Sequence, residues 1–346
     1  MSAKVLVSIV THNHAPYLED CLQSLLNQAC RSFEVHLWDN ASSDGSLDVA
    51  ARHGELLGEI HVSSRNLGFC AAHNRIIAAS SSEYVLVLNP DVVLDEGFIA
   101  AIVEALEEDP GSGSATGKLW RQAVGPPATP RILDTTGIFF TRNQRHLDRG
   151  AGSPDQGQYD RREYVFGASG AAAFYRRTML EEARMWGEYF DETFFAYRED
   201  ADLSWRAQWL GWRCLYVPEA TGYHVRRVLP ERRASLPAEI NMHSLKNRFL
   251  LRVKNMDLGT YARHFPAITA RDLLALGYVA LREQSSLRAF PLLIKALPGA
   301  WAARRALIHH RRVSPREIRS WFSDTPVSRP LSPARGPADA RSADSA

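Results

Sequence analysis

Short apolar runs alternate with helical periodicity through the first third of the chain. Residues 4–10, KVLVSIV, are apolar and rich in β-branched side chains, the signature of a strand buried on both faces. Pro16 suits the first turn of a helix. Leu18, Cys21, Leu22, Leu25, Leu26 and Ala29 then recur at spacings of three and four, which makes one apolar helix face. The alternation continues with strand 33–38, helix 46–53, strand 59–62, helix 69–79, strand 84–88 and helix 96–107. Strands separated by helices predict an α/β domain with a mostly parallel central sheet flanked by helices. In such sheets ligands bind beyond the carboxyl ends of the strands. Three polar clusters fall at those ends: Thr11-His12-Asn13, Asp39-Asn40 and Asn89-Pro90-Asp91. The last halts an apolar strand at a carboxylate. A turn accounts for such residues, and so does a ligand-binding group at the mouth of a sheet.

The pattern then loosens. Residues 111–165 are rich in Gly, Pro, Arg and Thr and read as an irregular, partly mobile excursion. Within it GSGSATGK, at 111–118, imitates a phosphate loop. Thr116 stands where a dinucleotide motif needs glycine, and Leu119 where a P-loop needs Ser or Thr, so a structural loop is expected. A strand resumes at 171–175, a helix follows at 199–210 up to Gly211, and a further strand at 213–217. From about residue 235 the pattern is helical. The expected organisation is a sheet domain over 1–225, a helical region over 226–323 and a disordered tail over 324–346, where Ser, Pro, Ala, Arg and Asp dominate.

Composition narrows the function classes. A net charge of +2 over 346 residues gives no general nucleic-acid footprint. No run of 18 apolar residues is present, so no spanning helix is expected, and residues 5–10 are too short for a signal-peptide core. Cys21, Cys30, Cys70 and Cys214 form no CxxC pair, which suits a reduced, cytoplasmic protein. In residues 284–316 seven Lys and Arg stand without any Asp or Glu, interleaved with Leu287, Phe290, Leu293 and Trp301. Such a segment fits an anionic membrane surface at the inner face of the cell membrane, and equally a solvated helix packed on the domain.

Five stretches, VSIVTHNHAPYLEDCLQSLLNQ, DNASSDGS, RNLGFCAAHN, LVLNPDVVL and FDETFFAYREDADLSWRAQWLGW, occur in that order. Together they resemble the family 2 glycosyltransferases, and more narrowly the bacterial rhamnosyltransferase-like branch, over residues 4 to about 255. The resemblance implies a GT-A fold, a nucleotide-sugar donor with dTDP-rhamnose the first choice, inversion at the anomeric carbon, and Mg²⁺ or Mn²⁺. It implies a saccharide or polyprenyl-linked saccharide acceptor in bacterial surface-polysaccharide synthesis. Donor contacts carried over are Thr11, Asn13, Asp39, Asn66, Gly68, Asn74 and Asn89; Gly68 fits a turn glycine as well. Family members often place Asp-x-Asp where Asn89-Pro90-Asp91 stands, which leaves Asp91 as the single carboxylate for the metal. His224, 24 residues after Asp200, would complete that site, an imidazole suiting Mn²⁺ better than Mg²⁺. Asp200, second of the Glu199-Asp200 pair, corresponds to the base that takes the acceptor proton. Glu199, Asp202 and Trp205 would support the acceptor side, although Asp202 can pair with Arg206 one turn on and Trp205 also fits a core. A sugar nucleotidyltransferase would want a glycine-rich basic loop after the first strand, where Thr11-His12-Asn13-His14 stands. A non-catalytic binding protein would not need Asp39, Asp91 and Asp200 together.

Overall fold

The computed structural model describes residues 3–122, 130–226 and 237–331. The apolar runs form β1 (Val5–Thr11), β2 (Phe33–Asp39), β3 (Leu57–Val62) and β4 (Tyr84–Leu88). Helices α1 (Ala15–Leu26), α2 (Ser46–Arg52) and α3 (Gly68–Ala79) connect them, and α4 (Phe98–Glu108) follows a short β5 (Val92–Leu94). β3, β2, β1 and β4 lie side by side in parallel. β4 is buried along its whole length, as a central parallel strand must be.

The sheet then grows beyond β4 in the order β11 (Ala172–Arg176), β6 (Ser112–Arg121), β12 (Arg213–His224) and β10 (Glu163–Val165). β11 runs antiparallel to both its neighbours, so β6 and β12 point the same way as β4. That direction gathers the carboxyl ends of β1, β2, β4, β6 and β12 and the amino end of β11 on one edge of the sheet. The reversed β11 thus brings residues 169–171 to the same edge as Asp91.

β6 corrects an expectation. The glycine-rich stretch 111–118 is no loop: from Ser112 onward it lies within a ten-residue strand, nearly all of it buried. Its small residues are there because neighbours press close. A Cβ on Gly113 would collide with the Met179 side chain, and one on Gly117 with the Ala220 carbonyl and Phe98. Lys118, also in β6, is buried and pairs with Asp155 and Asp160. The described residues after it carry further strands, β7 (Leu133–Thr135), the antiparallel pair β8 (Ile138–Phe140) and β9 (His146–Asp148), and β10. Residues 123–129 lie outside the described residues. β12 also runs further than expected: a register shift between Tyr216 and Thr221 absorbs Pro218 and lets the strand continue to His224.

Helix α5 (Arg177–Ala183) and α6 (Glu199–Trp209) precede β12, and the helical region is α7 (Ala238–Asn255), α8 (Leu258–Arg282), α9 (Ala289–His310) and α10 (Pro315–Arg319). α7 is clamped to α6. Asp202, with no exposure, accepts from Arg206 at 2.9 Å, Lys254 at 2.8 Å and Asn255 at 2.8 Å, and the Trp209 indole donates to the Asn255 carbonyl at 2.8 Å. Lys254 also reaches Asp191 at 2.7 Å. The chain after α10 does not leave the body at residue 324. Arg329 exchanges backbone hydrogen bonds with Tyr164 and stacks its guanidinium on Trp321. The remainder of the expected tail, 332–346, lies outside the described residues.

Two glycines test this packing with opposite signs. Gly117→Ala forces a methyl against backbone that cannot yield and is expected to cost about 1–3 kcal/mol. Gly277, inside α8 with open space around its Cα, has no such neighbour; Gly277→Ala is expected to gain about 0.5–1 kcal/mol. Urea unfolding of both variants measures the pair.

Candidate active site

The first strand end forms a polar floor. Thr11 and Asp39 are register partners, and both are buried. Asp39 Oδ2 accepts from the Ser42 N–H at 2.9 Å, but Asp39 Oδ1 and Thr11 Oγ1 have no protein partner. Two adjacent buried oxygens left unpaired are costly unless a ligand supplies the missing bonds. Asn13 serves the same corner differently: it holds a left-handed conformation (φ 59°) and its Oδ1 accepts from the Ser43 N–H at 2.8 Å, fixing the 42–43 turn.

The third motif is built into a second loop. Asn66 Oδ1 accepts from the Gly68 N–H at 2.8 Å. Gly68 has φ +82° and a Cβ there would collide with Phe195, so glycine is required on both counts. Asn74 departs from the expected donor contact. Its amide donates to the Phe190 carbonyl at 2.7 Å and accepts from the Phe190 N–H at 2.8 Å, so both ends are spent on holding the loop ahead of α6.

At the end of β4, Asn89 and Asp91 diverge. The Asn89 N–H donates to the Ala171 carbonyl at 2.9 Å, tying β4 to the start of β11. Asp91 Oδ1 lies 3.3 Å from His224 Nε2, and the Val225 N–H donates to the Asp91 carbonyl at 3.0 Å. His224 Nδ1 in turn meets Asp134 Oδ2 at 2.7 Å. Asp134 is bound by Arg226 at 3.0 Å, and Arg226 also reaches Asp148 on β9. Burial alone would lower the His224 pKa, but hydrogen bonds to Asp134 and Asp91 reverse that and raise it to about 9. Burial would raise the Asp91 pKa, yet His224 and the charge of His14 hold it below the usual carboxylate range.

This donor set fits a divalent cation. Asp91 and His224 Nε2 offer one hard and one borderline ligand on the same side of a cleft, and a metal-bound imidazole characteristically gives its other N–H to a carboxylate, the place Asp134 takes. Asp134 and Arg226 were not identified from the sequence. Asp134 sits where the chain shows no periodicity, and only its chemical type could have drawn attention.

The acids of α6 separate into three environments. Asp200 keeps 12% of its side-chain exposure, accepts from the Gly170 N–H at 3.0 Å and has His146 Nε2 at 4.0 Å. Glu199 is buried with Oε2 unpartnered; burial and then the neighbouring Asp200 push its carboxyl well above the usual range. Asp202 belongs to the clamp on α7 and makes no acceptor surface. Trp205 is likewise core, fully buried among Phe140, Phe166 and Phe322. His146, on β9, went unnoticed in the sequence. It is partly buried, desolvation lowers its pKa, and its Nε2 has no hydrogen-bond partner.

The loop feeding α6 is strained. Phe195, Tyr197 and Arg198 all have positive φ, from 67° to 72°. Asn247 of α7 holds it: its amide nitrogen lies 2.9, 2.8 and 2.7 Å from the carbonyls of Phe194, Ala196 and Tyr197. His243 stacks on the Phe195 ring at 4.5 Å, and Lys246 donates to the Thr193 carbonyl. Three non-glycine residues in this region cost of order 1–3 kcal/mol each, and such strain survives only when surroundings over-determine it.

An Asp–His pair, the carboxylate of Asp200 and the unpaired polar atoms of the floor thus line one edge of the sheet, where ligands bind in α/β folds. Residues 6–184 match the family described as Glycosyl transferase family 2, and the chain belongs to that family. An N-acetylglucosaminyl-diphospho-decaprenol L-rhamnosyltransferase of Mycobacterium tuberculosis is 31% identical over 240 residues, 63% of this chain and 75% of that one. Among solved structures, TarS 1–349 of S. aureus in complex with UDP-GlcNAc aligns with a TM-score of 0.52 and 19% identity, over 92% of this chain and 90% of that one. Mannosyltransferase PcManGT of Pyrobaculum calidifontis, in complex with GDP-Man and Mn²⁺, aligns with a TM-score of 0.50 and 16% identity, over 91% and 84%. These structures share the GT-A fold. The family match ends before Glu199, short of α6 and His224.

Removing the loop clamp gives a direct check. Asn247→Ala removes the amide that the carbonyls of Phe194, Ala196 and Tyr197 share and is expected to cost about 1–3 kcal/mol of stability. Turnover should fall more than nucleotide affinity, because the clamped loop leads directly into Glu199 and Asp200 and, among the described residues, has no hydrogen bond to Thr11 or Asp39; kcat beside a nucleotide titration separates the two.

Proposed function

We propose that this transferase moves a sugar, rhamnose from dTDP-rhamnose the first choice, onto a polyprenyl-linked saccharide in cell-envelope polysaccharide synthesis, with inversion. The observation that carries this reading is the Asp134–His224–Asp91 relay beside Asp200. The choice of sugar and acceptor leans on the mycobacterial relative's name.

Thr11 and Asp39 would receive the nucleoside, their unpaired oxygens meeting its N–H and O–H groups. Asp91 and His224 would hold a Mg²⁺ or Mn²⁺ ion; Mn²⁺ accompanies the nucleotide sugar in the archaeal mannosyltransferase. When bound, such an ion supplies positive charge to the departing diphosphate. Asp134 keeps the His224 ring turned so that Nε2, not Nδ1, faces Asp91. Asp200 takes the proton of the acceptor hydroxyl as that oxygen attacks the anomeric carbon. Gly170 holds this carboxylate in place through one oxygen. Glu199, its pKa raised by burial, stays protonated and spares Asp200 a second negative charge. Base and metal ligands come from different elements, α6 against β4 and β12, as attack opposite the leaving group requires.

The helical region would bring the enzyme to its lipid-linked acceptor. One side of α9 packs inward through Ala300, Ala303 and Leu307. Leu273, Leu274 and Leu281 of α8, with Ile294 and Trp301 of α9, face solvent beside the seven cations of 284–316. Among the described residues no helix is long and apolar enough to cross a membrane. Apolar side chains flanked by Arg and Lys, of which Arg312 is paired with Glu182, suit an anionic bilayer surface instead.

Two measurements test the reading. With dTDP-rhamnose and a lipid-linked acceptor, Asp200→Asn should lose about 10²-fold or more in turnover while nucleotide affinity stays close to wild type. Normal turnover in that variant, or the loss appearing in Glu199→Gln instead, would overturn the assignment of the base. In flotation, the protein should rise with anionic vesicles at low salt and release as salt increases. Flotation indifferent to both lipid charge and salt would remove the membrane part.

A further inference from the structure

A second cluster of metal-ligating side chains lies away from the cleft, on the sheet edge formed by β2 and β3. His36 is the register partner of Glu59, and Trp38 of His61. Alternate residues of a strand share a face, so these four side chains stand together on one side of the edge. His61 Nε2 lies 2.9 Å from Glu59 Oε2, and His36 Nδ1 lies 3.7 Å from the same oxygen. One atom each from His36, Glu59 and His61 fall within 4.8 Å of one another.

We propose that His36, Glu59 and His61 bind a divalent transition-metal ion of the zinc class, at a site separate from the Asp91–His224 pair. Three features of the geometry favour a ligand over an incidental surface pair. First, His36 is 5% exposed and its Nδ1 has no hydrogen-bond partner, although it is directed at Glu59. A buried ring nitrogen left unpaired is costly, and a cation would satisfy it. Second, the spacing suits tetrahedral coordination. Bonds of about 2.0–2.2 Å place neighbouring ligand atoms about 3.3–3.6 Å apart, between the two distances observed here. Third, the rings are already oriented. Glu34 stands 3.6 Å from the other nitrogen of His36, and Ser80 and Ser82 hold that carboxylate at 2.8 and 2.9 Å. Trp38 stacks on the His61 ring at 5.3 Å. At 3.6 Å Glu34 is an ion-pair neighbour of His36 and not yet a hydrogen-bond partner, but it occupies the place a carboxylate takes behind a ligating histidine.

Two imidazoles and one carboxylate select zinc, nickel or copper over magnesium. Glu59 and His61 are accessible, so an ion can enter and water can fill the remaining position. The consequence is local. The ion would staple β3 to β2 just below Asp39, whose carbonyl accepts the N–H of Ser63 at the start of the loop leading to Asn66.

Metal-stripped, tag-free protein titrated with Zn²⁺ and, separately, with Co²⁺ tests the site by calorimetry and visible absorption. The wild type is expected to show uptake that survives Asp91→Asn, with visible bands of tetrahedral intensity for Co²⁺. His61→Gln and Glu59→Gln, both solvent-accessible changes, should each weaken that uptake by about tenfold or more. Zinc should raise the melting temperature of the wild type but not of His61→Gln, and Mn²⁺-supported transfer should be unchanged in His61→Gln. Zinc uptake unaltered by both changes, or abolished by Asp91→Asn alone, would overturn the proposal.

Discussion

A carboxylate with no access to water must be matched by positive charge or the surrounding structure does not form. Asp202 is that carboxylate, and Arg206, Lys254 and Asn255 are its match. The pairing reaches beyond electrostatics. Lys254 lies at the end of α7 and also binds Asp191, so satisfying Asp202 draws a whole helix onto the sheet domain. Asn247, two turns earlier on that helix, then meets the strained carbonyls before Glu199. The boundary drawn near residue 225 is therefore one of secondary-structure type, since the helices after it complete the cleft.

Within the cleft, environment divides groups of the same chemical type. Asp91 is held low by His224, Glu199 is pushed high by burial, and Asp202 is locked in an ion cluster. His224 is raised by two carboxylates while His146 is lowered by burial. The proposed chemistry, a cation held, a proton accepted and a diphosphate left unrepelled, would need such a division. Here it arises because the acids come from separate elements that meet at one sheet edge.

The parallel block was plain in the sequence because strands buried on both faces must be apolar runs and the helices covering them must show one apolar face. Thr11, Asp39 and Asp91 were visible as polar residues stationed at the ends of those runs. What was hidden has physical reasons. β6 owes its glycines to close approach by Met179, Phe98 and the Ala220 carbonyl, and a strand made of small residues looks like a turn. Asp134 and His146 sit on strands of three residues, too short to carry a period. Lys254 resembles any surface lysine of a helix until Asp202 is found beneath it. Asn74 and Trp205 show the limit of likeness: residue type and place are shared, yet Phe190 and the aromatic core occupy these side chains.

The order of strands has a bearing on synthesis. β1 to β4 pair among themselves within the first 88 residues, so the polar floor at Thr11 and Asp39 can assemble while the ribosome is still at work on the rest. β6 must wait for β11 and β12, about a hundred residues later for its second partner, before it is covered on both edges. His224 and the Asn247 clamp emerge later still. A nascent chain of this protein thus builds the strand ends that carry Thr11 and Asp39 before Asp200 and His224 exist, and the edge of the sheet is complete only when α7 has docked.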